Sequence, residues 1–219
     1  PSTGDVCVTG FAEAALHGQS YVGGNDIILM KYASNGTRVW TRMEGSSDTG
    51  ADIGVGVSVH PSTGDVYVTG YVGGALHGQS YAGGRDIILM KYASNGTRVW
   101  TRMEGATFWD AGFGVSVHPS TGDVYVTGFA QGALHGQLSA GGNDIVLMKY
   151  ASNGTRVWTR MEGTNGYDEG YGVSVHPTTG DVYVTGYAQG ALHGQSHVGS
   201  ADIILMNYAS NGTRLWTRI

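Results

Sequence analysis

Apolar and polar positions along the chain fall into short runs that alternate with period two and never settle into a helical period. In the second of four similar stretches, residues 65–71 (Asp-Val-Tyr-Val-Thr-Gly-Tyr) alternate and are rich in Val, Thr and Tyr, the pattern of a β-strand. Residues 86–92 (Asp-Ile-Ile-Leu-Met-Lys-Tyr) are almost continuously apolar, as expected of a strand covered on both faces. Residues 98–103 (Arg-Val-Trp-Thr-Arg-Met) alternate again, and 114–118 (Gly-Val-Ser-Val-His) are short and small. Gly-rich or Asn-Gly segments separate all four runs. The small-residue run suits a crowded axis and is taken as the inner strand. The tyrosine, apolar and tryptophan runs then follow as second, third and outer strands.

The same unit is written almost four times. Its turn recurs as Pro1-Ser-Thr-Gly-Asp, Pro61-Ser-Thr-Gly-Asp, Pro119-Ser-Thr-Gly-Asp and Pro177-Thr-Thr-Gly-Asp, at spacings of 60, 58 and 58 residues. The first unit carries two extra residues near 46–50. Four strands in a repeat of this length is the signature of a propeller blade. The sequence therefore predicts an all-β, β-propeller-type array of four-stranded antiparallel blades, a single repeat domain over 1–219. Its units are 1–45, 46–105, 106–163 and 164–219. The third strands, 27–30, 87–90, 145–148 and 203–206, should be the most buried segments. Trp40, Trp100, Trp158 and Trp216 should pack in equivalent settings at the blade interfaces.

The units resemble the SBBP β-propeller repeat family. The resemblance rests on the Asp-Val-Tyr-Val-Thr-Gly of 65–70, the Gly-Gly-x-Asp of 83–86, the Asn-Gly-x-x-x-Trp of 95–100 and the Asp-x-Gly-x-Gly-Val of 110–115, and it covers essentially the whole chain. It implies a propeller fold and a secreted or surface location, without a defined activity. His60, His118 and His176 depart from it, standing where the family pattern has Asp.

Composition narrows the function further. The chain has 12 Lys and Arg against 17 Asp and Glu, a net charge of −5, so there is no basic footprint for nucleic acid. No apolar run approaches the roughly 18 residues of a membrane helix. One cysteine excludes an internal disulfide framework and a multi-cysteine zinc site. The first unit begins at its second strand, so its inner strand is missing, and an open inner edge invites another strand. The sequence is read as a segment of a longer or processed chain, with the strand expected from further chain or from another molecule.

Candidate chemistry is copied from unit to unit. Asn35, Asn95, Asn153 and Asn211 each open an Asn-Gly-Thr sequon on a hairpin tip, expected to carry N-linked sugar. Asn-Gly also favours the hairpin itself, because both residues tolerate positive φ. His60, His118 and His176 read as turn residues, and a ring of them around an axis would offer an anion or metal site. His17, His77, His135 and His193 read as loop structure. Asp26, Asp86, Asp144 and Asp202, and Asp52, Asp110 and Asp168, read as carboxylates that fix turns. Cys7 replaces Tyr67, Tyr125 and Tyr183 and reads as an inert buried thiol.

Units 61–118 and 119–176 differ at 13 of 58 positions, six within 71–85 and six within 106–113. Those loops belong to one face of a propeller. Either long loops drift freely, or this face meets partners through Tyr81, Phe108, Trp109, Tyr167 and Tyr171. The expectation is an extracellular or cell-surface structural glycoprotein that assembles with further chain or with copies of itself, as a filament in one form. It has no enzymatic activity, cofactor or metal in this reading, no nucleic-acid partner and no membrane insertion. The alternative is a lectin-like propeller that binds carbohydrate.

Overall fold

The computed structural model describes residues 4–47 and 50–219. Pro1, Ser2 and Thr3 of the first turn, and Asp48 and Thr49 in the extra length of the first unit, lie outside the described residues. The described residues form fifteen strands and no helix. The first sheet holds β1 (Val6–Ala12), β2 (Asp26–Tyr32) and β3 (Arg38–Glu44). The second holds β4 (Ile53–Val59), β5 (Val66–Val72), β6 (Asp86–Tyr92) and β7 (Arg98–Glu104). The third holds β8 (Asp110–Val117), β9 (Val124–Ala130), β10 (Asp144–Tyr150) and β11 (Arg156–Glu162). The fourth holds β12 (Glu169–Val175), β13 (Val182–Ala188), β14 (Asp202–Tyr208) and β15 (Arg214–Arg218). Every sheet is an antiparallel meander whose spatial order follows the chain. Among the described residues β1 pairs only with β2, so the first sheet has three strands.

Each inner strand, β4, β8 and β12, rests on the second and third strands of the preceding sheet, and the three lie beside one another. Period-two alternation then builds two apolar faces per sheet. Val66 and Val68 of β5 face back to the first sheet, while Tyr67 and Thr69 face forward to the third. Three core clusters result, one at each sheet-to-sheet contact. The third strands are buried on both faces in the middle sheets, where Ile87, Ile88, Leu89 and Met90 are each at most 1% exposed.

One expectation needs correction, and the ends of the array explain it. Ile203, in the last third strand, is 81% exposed, because no sheet among the described residues covers the forward face of the fourth sheet. Val6 of β1 is likewise 53% exposed where Val66, Val124 and Val182 are fully buried, because no sheet among the described residues covers the backward face of the first. The hairpin tips differ too. Gly36 N donates to Ala33 O (2.9 Å) and Ala33 N to Thr37 O (2.8 Å), closing a three-residue loop. Gly36 takes a φ of 84° while Asn35 stays out of the left-handed region, so only the glycine uses positive φ.

The tryptophans join neighbouring sheets. Trp40 and Trp100 are buried. Their Nε1 atoms donate to Ser94 O (3.2 Å) and Ser152 O (3.3 Å) in the next hairpin, and Trp158 repeats the bond to Ser210 O at 3.3 Å. Beside each ring an arginine Nε donates to the hairpin glycine carbonyl: Arg42 to Gly96, Arg102 to Gly154 and Arg160 to Gly212, all 2.7 Å. Trp216 departs from this setting, since no hairpin among the described residues meets it. Truncating a buried Trp costs about 3–5 kcal/mol. Trp100→Ala should show a loss of that order in urea unfolding, and Trp216→Ala a clearly smaller one; equal losses would refute the joining role.

Candidate functional site

The two rims of the array carry different chemistry. On one rim, the turns between inner and second strands meet the hairpins between third and outer strands. His60, Tyr67, Lys91, Thr121 and Ser152 line a groove of about 320 Å³ there, and His118, Tyr125, Lys149, Thr179 and Ser210 line its repeat. The histidines of this rim cap turns. His60 Nδ1 accepts from Ser62 N (3.3 Å) and Thr63 N (3.2 Å), and His118 and His176 do the same in their own turns. Asn35, Asn95, Asn153 and Asn211 are all exposed on the hairpin tips. Each side-chain oxygen accepts the backbone N–H of its own sequon threonine at 2.9–3.0 Å.

The opposite rim holds the second-to-third loops and the loops entering the inner strands. The four His of Ala-Leu-His-Gly-Gln all lie here at φ 52–54°, a region few non-glycine residues adopt. His77 shows what holds it. Its Nδ1 contacts Thr101 Oγ1 (2.8 Å), and Nε2 meets Glu44 Oε2 of the preceding sheet at 2.9 Å. Because a carboxylate only accepts, Nε2 carries the proton. Tyr92 OH donates to Glu44 Oε1 (2.9 Å), and Arg98 Nε lies 3.5 Å from it. The set recurs at Glu104 with His135, Tyr150 and Arg156, and at Glu162 with His193, Tyr208 and Arg214. These histidines therefore clamp one sheet to the next, a role their sequence positions did not reveal. His17 keeps the bond to its own sheet, Thr41 Oγ1 at 3.0 Å. The loop carboxylates fix turns as expected. Asp86 Oδ2 accepts Ala82 N (2.8 Å), and Asp110 accepts Ala106 N (2.6 Å) and Gln131 N (3.0 Å). Burial pushes the Asp110 carboxyl up to about 7 against those two donors. Cys7 is half-buried, and burial raises its thiol above the ordinary value.

One arrangement on this rim breaks the repeat. Gln131 Nε2 donates to Asn143 Oδ1 (2.7 Å), Asn143 Nδ2 to Glu169 Oε1 (2.6 Å), and Tyr171 OH to Glu169 Oε2 (2.9 Å). The equivalent positions one unit earlier are Gly73, Arg85, Ala111 and Phe113, and this relay occurs once among the described residues. Burial, then the Glu169 hydrogen bond and charge, push the Tyr171 hydroxyl up to about 12. Tyr171 also stacks on Phe113, with ring centres 5.3 Å apart. Beside the relay is a cleft of about 350 Å³ lined by Phe108, Gln131, Gly132, Ser139, Gly142 and Tyr167. Of the five aromatics expected on this face, Phe108 and Tyr167 thus share one cleft, and Tyr171 reaches it through the relay. Trp109 lies elsewhere, under the Arg85 guanidinium, which is 4.7 Å from its ring centre and 4.5 Å from that of Tyr71. Tyr81 is half-buried, its hydroxyl donating to Gly84 O at 2.6 Å. All four relay positions are among the 13 that differ between the middle units. That asymmetry was the available signal.

No family model matches the chain, and no curated protein matches it.

The clamp carries a pH dependence. Burial acts to raise the carboxyls of Glu44, Glu104 and Glu162, but the histidine and tyrosine hydrogen bonds and the arginine charge outweigh it. Each is held below the ordinary glutamate value. A carboxyl depressed by folding adds stability above its unfolded value, about 4.3, and loses it as pH falls through the folded one. Stability should therefore drop on acidification below about pH 4.3, and Glu104→Gln should make that drop shallower. An unchanged acid limb in Glu104→Gln would contradict this.

Proposed function

We propose that this chain is an extracellular structural module of the SBBP-repeat type. Its sheets act as propeller blades around an axis lined by β4, β8 and β12, and its two end faces join to further repeats. The reading is of a non-enzymatic protein whose activity is assembly. The observation that carries it is the match between the ends. The forward face of the fourth sheet and the backward face of the first are the two halves of a contact that occurs three times within the chain.

At each internal contact a Trp and an Arg reach the next hairpin's carbonyls. Trp216 and Arg218 offer those donors at one end. Ser34 and Gly36 occupy the accepting hairpin positions at the other. Val6, Val8 and Ile203 are exposed valine and isoleucine positions that are buried in the middle sheets. Apolar surface of this kind favours association. The contact joins two different faces, so it is heterologous and extends into a ring or a filament. The free edge of β1 has the place that an inner strand takes in the other sheets, and a Gly-Val-Ser-Val-His strand from further repeats fits it. In this reading the exposed sequons at Asn35, Asn95, Asn153 and Asn211 carry N-linked sugar on the opposite side from the variable loops. Mass spectrometry of native peptides would show the added mass, and bare asparagine at all four would end that part.

Sedimentation of the 219-residue chain over a range of concentrations tests the assembly. The expected result is reversible, concentration-dependent growth. Ile203→Asp, at an exposed position, should weaken that growth without unfolding the monomer. Loss of one buried isoleucine at roughly 1.5–3 kcal/mol corresponds to about 10- to 150-fold weaker association. A chain that stays monomeric throughout, or an Ile203→Asp variant that grows equally well, would overturn the reading.

A further inference from the structure

We propose that the cleft lined by Phe108, Gln131, Gly132, Ser139, Gly142 and Tyr167 is a binding site for a neutral carbohydrate. The proposal stands apart from the end faces, which lie on other surfaces of the array.

Four observations point to this class of ligand. First, Phe108 is 63% and Tyr167 51% exposed. They are large rings in loop positions that add little to the core, and an exposed ring offers a flat apolar surface for the C–H face of a sugar. Second, glycines bring loop backbone against one of those rings. A methyl group at Gly142 would stand 3.0 Å from two Tyr167 ring carbons, and one at Gly141 would be 2.5 Å from the Asn165 carbonyl carbon. The loop and the ring therefore fix each other's position. Third, the polar group in the cleft is oriented from behind. Glu169 holds Asn143, and Asn143 holds Gln131. One Gln131 Nε2 hydrogen is used in that chain and the second remains for a ligand hydroxyl. Ser139 adds a hydroxyl, which donates to Gly141 O at 3.2 Å and keeps acceptor capacity.

The fourth observation is charge. None of the lining residues is ionisable near neutral pH, and both Glu169 oxygens are already engaged. That disfavours phosphates, acidic sugars and cations, and favours a polar, uncharged ligand. The size, about 350 Å³, is at the lower end of the roughly 300–1,000 Å³ of small-molecule sites, room for one or two sugar rings. The contact between the second and third sheets gives the contrast. There Arg85 lies between Tyr71 and Trp109, whereas Asn143 at the same repeat position is short and is turned to Glu169.

The test is titration of the whole 219-residue chain with maltohexaose, cellohexaose, laminarihexaose and chitohexaose, followed by NMR and tyrosine fluorescence. The expected result is saturable binding of at least one of these at about millimolar Kd or tighter. Tyr167→Ala and Phe108→Ala should each weaken it at least about tenfold while the unfolding midpoint stays near that of the parent chain. No saturable binding by any of the four oligosaccharides to about 10 mM would overturn the proposal. Binding that both variants retain in full would place the sugar elsewhere and overturn it equally.

Discussion

The architecture depends on one close approach, that of each inner strand to the sheet before it. A methyl group at Gly54, Gly112 or Gly170 would overlap the hydroxyl of Thr9, Thr69 or Thr127 and come within 3.1 Å of Ile27, Ile87 or Ile145. Only a residue without a side chain lets the two sheets meet at this distance. The threonines tolerate the contact because each hydroxyl donates to a third-strand carbonyl: Thr9 to Ile28, Thr69 to Ile88 and Thr127 to Val146, all 2.9 Å. A buried hydroxyl is thus satisfied within its own sheet, and the facing glycine needs only space. The inner strands also crowd one another. A methyl at Gly56 would be 2.6 Å from Phe113 O, and one at Gly114 2.8 Å from Tyr171 O.

That approach reaches the rim of the variable loops directly. Pairing slips by one residue between Gly54 and Gly56, Gly112 and Gly114, and Gly170 and Gly172. Val55, Phe113 and Tyr171 are therefore the bulged residues, displaced from the regular pleat. Val55 at this point gives nothing to bond. Tyr171 gives a hydroxyl that Glu169 accepts, and through it the relay to Gln131 is anchored. Away from these strands, polar groups hold the same contact at both rims, the carboxylate–histidine clamp on one side and the Trp and Arg bonds to the hairpin on the other. Apolar burial in between supplies most of the driving force, and the polar groups fix which residues face each other.

The antiparallel sheets were legible because their causes are local and repeated. Alternation gave the strands, the glycine-flanked Val-Ser-Val run gave the inner position, and β5 and β6 begin and end within a residue or so of the runs that suggested them. The exposure of Ile203 was not legible, since its sequence context is that of the buried Ile87 and only the next sheet decides. The clamp at His77 was hidden for another reason. Glu44 is 33 residues away in a different unit, and pairing across units leaves no mark on a single repeat. The cleft was half legible. Phe108, Tyr167 and Tyr171 stood out as loop aromatics, but Gln131, Asn143 and Glu169 are ordinary surface residue types whose meaning came from contact.

A double-mutant cycle between Gly112 and Thr69 tests the governing contact most directly. Gly112 is outside the left-handed region, so alanine there reports crowding and not backbone strain. Gly112→Ala should cost about 1–3 kcal/mol of unfolding free energy, the scale of overpacking a filled core. In a Thr69→Ala background that removes the facing hydroxyl, the cost should shrink by at least roughly 0.5 kcal/mol, beyond the additivity expected of independent sites. An equal cost in both backgrounds, or none in either, would contradict the account.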